Sequence, residues 1–181
     1  MGGDRPRMQK PIVIAIIDKD VFTENCATKN AKLHIDFTDT LKTEIWLDKH
    51  YWDRLQFGDD DGERIGIDIE FVELLIIKSF KHLVYYSLKH KEFLFINHPP
   101  PKTRNIRVVL RHKFPDKTTL NVAVEYHFLR LNSYEVTVKT AMSKEDFNLG
   151  DGQYAIEFED EESVLYTFRK NELFEVDSYS E

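Results

Sequence analysis

The spacing of apolar residues shifts along the chain from a period of two to a helical period and back. "KPIVIAIID" (10–18) is a continuous β-branched run between Pro11 and Asp18, the pattern of a buried strand. "AKLHIDF" (31–37) alternates apolar and polar residues and reads as a half-exposed strand. "LKTEIWL" (41–47) reads as another, running into a short helix that Asp48 can cap, with Tyr51 and Leu55 spaced as core contacts. The glycine- and charge-rich stretch "GDDDGERIG" (58–66) is a predicted loop. A long helix should follow it, capped by Asp68, with Glu70 and Glu73 at the positive end of its dipole. Phe71, Leu74, Leu75, Lys78, His82 and Tyr85 mark one flank of that helix; Val72, Ile76, Ser79, Leu83 and Tyr86 mark the other.

From Phe93 the period returns to two. "EFLFIN" (92–97) is a predicted strand, ended by "HPPP", because prolines cannot continue a ladder. "NIRVVLRHKF" (105–114), "LNVAVEYHFL" (120–129) and "YEVTVKTAM" (134–142) follow, joined by short links that make them antiparallel neighbours. "QYAIEFEDEESVLYTFRK" (153–170) reads as a further hairpin around "DEES", and the acidic tail "NELFEVDSYSE" as frayed. The fold class expected is α+β: two helices packed on one face of a mostly antiparallel sheet of four or more strands, with extra N-terminal strands and a C-terminal hairpin. The expected division is an N-terminal strand extension over 1–40, an α+β core over 41–143, and an acidic hairpin and tail over 144–181.

Composition adds constraints. With 181 residues, 41% hydrophobic and 31% charged, the chain fits an ordinary globular domain. The apolar runs are too short to span a bilayer, so no membrane association is expected. The start, "MGGDRPRMQK", has no apolar core behind its basic residues, which argues against a secretory signal. Cys26 is the single cysteine, so no internal disulfide or cysteine-based metal site can form; a reducing, cytoplasmic compartment is expected. The net charge of −7 is unevenly spread: −6 over residues 1–75, +8 over 76–140 and −9 over 141–181. A basic middle between acidic ends suggests an anionic partner, or an intramolecular cover for the middle.

Candidate chemistry narrows by elimination. There is no G-x-S-x-G elbow, no phosphate-binding G-x-x-x-x-G-K loop and no histidine pair at metal-ligand spacing, so no metal or other cofactor is expected. Cys26 lies in a polar context without an obvious activating base and reads as a bystander thiol. Asp18 and Asp20 in "DKDVF" follow a strand, and such carboxylates can hold Mg²⁺ for phosphoester chemistry. The segment is similar to the first motif of haloacid-dehalogenase-like phosphatases, but departs from it at Phe22; a solvated strand end is the simpler reading.

His50 and Arg54 are four residues apart and share a helix face. Metal-free RNA cleavage requires a base for the 2′-hydroxyl, an acid for the leaving 5′-oxygen and cations for the phosphate oxygens. Histidine titrates near neutrality, arginine and lysine neutralise phosphate, and a threonine hydroxyl can orient it. The layout "WLDKHYWDRL", then "IDIEFVELLI", then a sheet ending "YEVTVKTAM" resembles the barnase–EndoU–colicin–RelE class of ribonucleases over residues 41–143. That resemblance implies a small toxin-like endoribonuclease acting on RNA. It assigns His50, Arg54 and Thr140 to catalysis, and Lys139, with Arg107 or Arg111, to phosphate. Asn97 and His98, before the prolines, are further candidates for RNA contact, or turn stabilisers. The acidic C-terminal segment would cover the basic site or dock a neutralising protein. The alternative is a non-catalytic binding protein, an immunity factor, inhibitor or adaptor, whose acidic surfaces engage a basic partner.

Overall fold

The computed structural model describes residues 21–37, 42–57, 67–100, 105–144, 147 and 149–180; for 34–37 and 54–57 it describes the backbone. The predicted strand at 10–18, with Asp18 and Asp20, lies outside the described residues, as does the loop at 58–66.

Among the described residues, most of the expected elements form, and in the expected order. Strands β1 (Ala31–Phe37) and β2 (Lys42–Asp48) precede helices α1 (Lys49–Phe57) and α2 (Ile69–Lys89). Then come β3 (Ile96–Asn97), β4 (Val108–Lys113), β5 (Thr119–Arg130), β6 (Ser133–Ser143), β7 (Tyr154–Glu159), β8 (Glu162–Arg169) and β9 (Glu172–Tyr179). Both caps act as the sequence indicates: Asp48 Oδ1 accepts the His50 N–H at 2.9 Å, and Asp68 Oδ1 accepts the Glu70 N–H at 2.9 Å.

The described strands make one sheet in the order β1-β2-β6-β5-β4-β7-β8-β9, with β3 extending the β4 side of β5. The consecutive pairs β4–β5, β5–β6, β7–β8 and β8–β9 are antiparallel. Three pairings are parallel: β2 with β6, β3 with β5 and β4 with β7. Strand β2 thus joins the far side of β6, and the acidic hairpin is hydrogen-bonded to the basic strand β4.

Alternation sorts the sheet's residues onto two faces. Ile45, Leu47, Val122, Val124, Tyr126, Val136 and Val138 point to the helices, where they pack with Val72, Leu75, Ile76, Leu83 and Tyr86. Ser79 and Tyr126 share a buried hydroxyl contact of 2.8 Å, so the helix–sheet seam also carries a satisfied polar link. On the opposite face a smaller cluster gathers Val109, Ala123, Leu149 and Ala155. The outward side of α2 exposes Leu74, Ile77, Val84 and Leu88.

Two expectations need correction. The "EFLFIN" segment is not a strand except at Ile96–Asn97; Phe93 and Phe95 are buried there as anchors, the rings stacked 6.1 Å apart. The tail is not frayed. It turns back at Lys170 and Asn171, both in the left-handed region at φ 52° and 64°, and runs as β9 along β8. Two consecutive positive φ values are the signature of a tight type I′ hairpin, a conformation asparagine adopts at low cost.

Candidate functional site

The residues that alternate with the helix-facing core make a polar layer on the other face of β2, β6 and β5. The register places Glu44 opposite Glu135, Trp46 opposite Thr137, Thr137 opposite Glu125, and Glu135 opposite His127. Glu125 and Glu135 are buried, and so is Asp48 at the end of β2.

Each carboxylate has partners. Arg107 donates from Nη2 and Nε to Glu125 Oε1 at 2.7 and 3.2 Å. His127 Nε2 stands 3.6 Å from Glu125 Oε2, beyond hydrogen-bond length, and has no hydrogen-bond partner. Burial pushes the Glu125 carboxyl up; the neighbouring His127, Arg107 and Lys139 outweigh it and hold the group below the usual carboxylate range. Glu135 is raised instead, chiefly by burial and further by Glu44, against the opposing pull of His127 and the Cys26 N–H. That N–H donates to Glu135 Oε1 at 3.0 Å, while Asn25 Nδ2 donates to Thr137 Oγ1 at 2.7 Å. Residues 21–30 therefore lie across the polar layer as a strap. Although Cys26 is exposed as a residue, partial desolvation of its thiol and the neighbouring Glu135 push it up to about 11, leaving little thiolate near neutrality.

The cations assigned to phosphate are ion-paired within the chain. Lys139 Nζ lies 2.6 Å from Asp48 Oδ2. Arg111 bonds Asn121 Oδ1 through Nε at 3.1 Å and sits 3.3 Å from Glu157, which also takes Lys113 at 2.5 Å. Elsewhere on the basic segment, Lys89 and His90 share Asp177 at 2.6 and 2.7 Å, and Lys78 lies 3.4 Å from Glu161. Glu157, Glu161 and Asp177 all come from β7–β9 or their turns. The acidic end of the chain thus compensates part of the basic middle.

The remaining candidates scatter in role. The His50 ring is exposed at the start of α1. The Arg54 side chain lies outside the described residues. Thr140 is half-buried on β6, opposite Ala123. Asp48 is the link between the early and late parts: one oxygen caps His50 and the other holds Lys139, the neighbour of Thr140. Asn97 is buried and closes the proline loop, donating to the Ile106 and Tyr126 carbonyls and accepting the Ile106 N–H at 2.7 Å. His98 is exposed, its ring 5.7 Å from that of Phe128. No group of three or more His, Cys, Asp or Glu residues among those described is arranged to hold a metal ion. No described helix is long and apolar enough to cross a membrane.

Glu125, His127, Glu135 and Glu157 were not singled out by the sequence. Their signal was present: in "VEYHF" and "YEVTV" the polar residues fall in alternate positions between apolar ones. The fold and this site define an α+β protein with a polar sheet face whose charges are compensated internally. No protein-family model, curated protein or solved structure matches the chain.

Proposed function

We propose that the protein is a non-catalytic binding module, an immunity factor, inhibitor or adaptor in kind, whose acidic C-terminal strands engage a basic partner. The supporting observation is where charge is left over. Arg107, Arg111 and Lys139 already face carboxylates at 2.6–3.3 Å, so a phosphate would have to displace Glu125, Glu157 or Asp48. By contrast, the C-terminal strands expose Asp151, Glu159, Asp160, Glu162, Glu172 and Glu175, beyond the Glu161 that faces Lys78, against the exposed cations Arg169 and Lys170. A surface with that imbalance steers cationic partners and repels nucleic acid. Titrating a fluorescent oligolysine peptide tests this. Binding that weakens steeply as salt rises is expected; no binding at low salt contradicts the reading.

One observation favours a second reading, metal-independent RNA cleavage. The Asp48 carboxylate ties the start of the His50 helix to Lys139, next to Thr140. That reading requires RNA to be cut in EDTA with 2′,3′-cyclic ends, and His50→Ala to abolish the cut. Intact RNA removes it.

A further inference from the structure

The two edges of the sheet are treated differently. The β1 edge is covered at its start: Thr23 bridges Ala31 on the side away from β2, with N–H···O contacts of 2.8 and 2.9 Å in both directions. A bulge between Leu33 and Ile35 interrupts β1 further on. Bulges and covering segments are how sheets block unwanted strand pairing.

Among the described residues strand β9 lacks that cover, and nothing pairs with its outer side. Its sequence, "ELFEVDSY", contains no proline, lysine or arginine. Its one irregularity is the extra residue Val176, between the partners of Leu165 and Tyr166, which leaves residues 172–175 as a regular run. That run is exposed throughout, and the register puts Leu173 opposite Phe168 on one face and Phe174 opposite Thr167 on the other. Asp177 is occupied by Lys89 and His90, but Glu172 and Glu175 have no ion pair among the described residues.

We infer that β9 is a docking edge for an extended, basic segment of a partner protein, which adds to the sheet as a further strand. The inference rests on the acidic-surface reading above and specifies its geometry. Main-chain groups of β9 would supply the hydrogen bonds, Leu173 and Phe174 apolar contact on the two faces, and Glu172 and Glu175 the preference for lysine or arginine. A second copy of this chain is the wrong occupant. Each β9 carries three carboxylates and no cation, so two edges side by side would set like charges against each other.

The probe is an octapeptide of alternating lysine and valine, in three forms: unmodified, and N-methylated at its odd or its even residues. In an added strand only alternate N–H groups face the sheet. One methylated form should lose binding by roughly tenfold or more, through the loss of several hydrogen bonds, while the other binds as the parent does. Exchange of β9 backbone amides should slow in the complex, and Glu172→Gln with Glu175→Gln should weaken it. Equal binding of both methylated forms with unchanged β9 exchange overturns strand addition and leaves the acidic-surface reading standing. Failure of the unmodified peptide and of oligolysine to bind overturns both. A peptide-free dimer that protects the same β9 amides also overturns the inference.

Discussion

Asp48 ties together distant parts of the chain. It is buried, caps α1 through His50, and neutralises Lys139 from 91 residues away. Removing one member of a buried pair costs more than removing the pair, because the survivor keeps its desolvation cost. Asp48→Ala should therefore destabilise by about 3 kcal/mol, combining a lost cap with an uncompensated lysine. Lys139→Met leaves the Asp48 carboxylate without its cation but keeps the His50 N–H on Oδ1, so it should cost less than Asp48→Ala, which loses the cap as well. Urea denaturation of both variants checks the asymmetry; equal losses would contradict it. His82 gives a pH signature. Its ring is buried against Phe158 and Tyr179, with Nδ1 2.8 Å from Ser163 Oγ. Burial, then Lys78 and Lys81, lower its pKa from 6.5 to about 4. The unfolded chain therefore binds the proton first. The His82 contribution is constant above pH 6.5, falls as pH drops from there toward 4, and amounts to a loss of roughly 3 kcal/mol once both states are protonated. His82→Gln should flatten that part of the profile, as read by unfolding free energy against pH. At this scale the sequence displayed the residue types but not their pairings. Arg107 and Glu125 are 18 positions apart and Lys139 and Asp48 are 91, beyond any local pattern.

At the scale of elements, periodicity and caps were legible because each depends on neighbours in sequence. The β5 pattern, "TLNVAVEYHFLR", shows apolar residues at alternate positions and became the longest strand described, at the sheet's centre. Asp68 before "IEFVELL" marked the start of α2, and its carboxylate does accept an N–H there. Asp68→Ala should cost about 1 kcal/mol, visible as a lower thermal midpoint and as faster amide exchange in the first turn of α2. An unchanged midpoint would mean that the helix start is held by packing alone. Two errors share a cause. The aromatic alternation at Phe93 and Phe95 looked like a strand, yet those rings anchor a linker beneath α2. The acidity of 171–181 suggests fraying, yet Leu173 and Tyr179 find partners on β8 and α2, and Val176 packs against the core, only once the hairpin forms. Tertiary contact decided both, against local composition. The parallel pairings of β2 with β6 and β4 with β7 were equally hidden, since they join segments far apart in the chain.

Across the whole molecule, the charge blocks seen in sequence resolve into an internal match. The +8 stretch and the −9 stretch meet where β4 lies beside β7 and where the end of α2 lies beside β9. Of the two meanings that such blocks suggested, an anionic partner or an intramolecular cover, the ion pairs to Glu157, Glu161 and Asp177 correspond to the cover. On the C-terminal strands the exposed charge beyond those pairs is mostly acidic, and it borders the β9 edge, which nothing covers among the described residues. The measurement that tests this most directly compares two labelled ligands of equal length, single-stranded RNA and oligolysine, titrated with the protein in EDTA at low salt. The account predicts that oligolysine binds and that RNA neither binds nor is cut. Retention or cleavage of RNA, with oligolysine ignored, would contradict it.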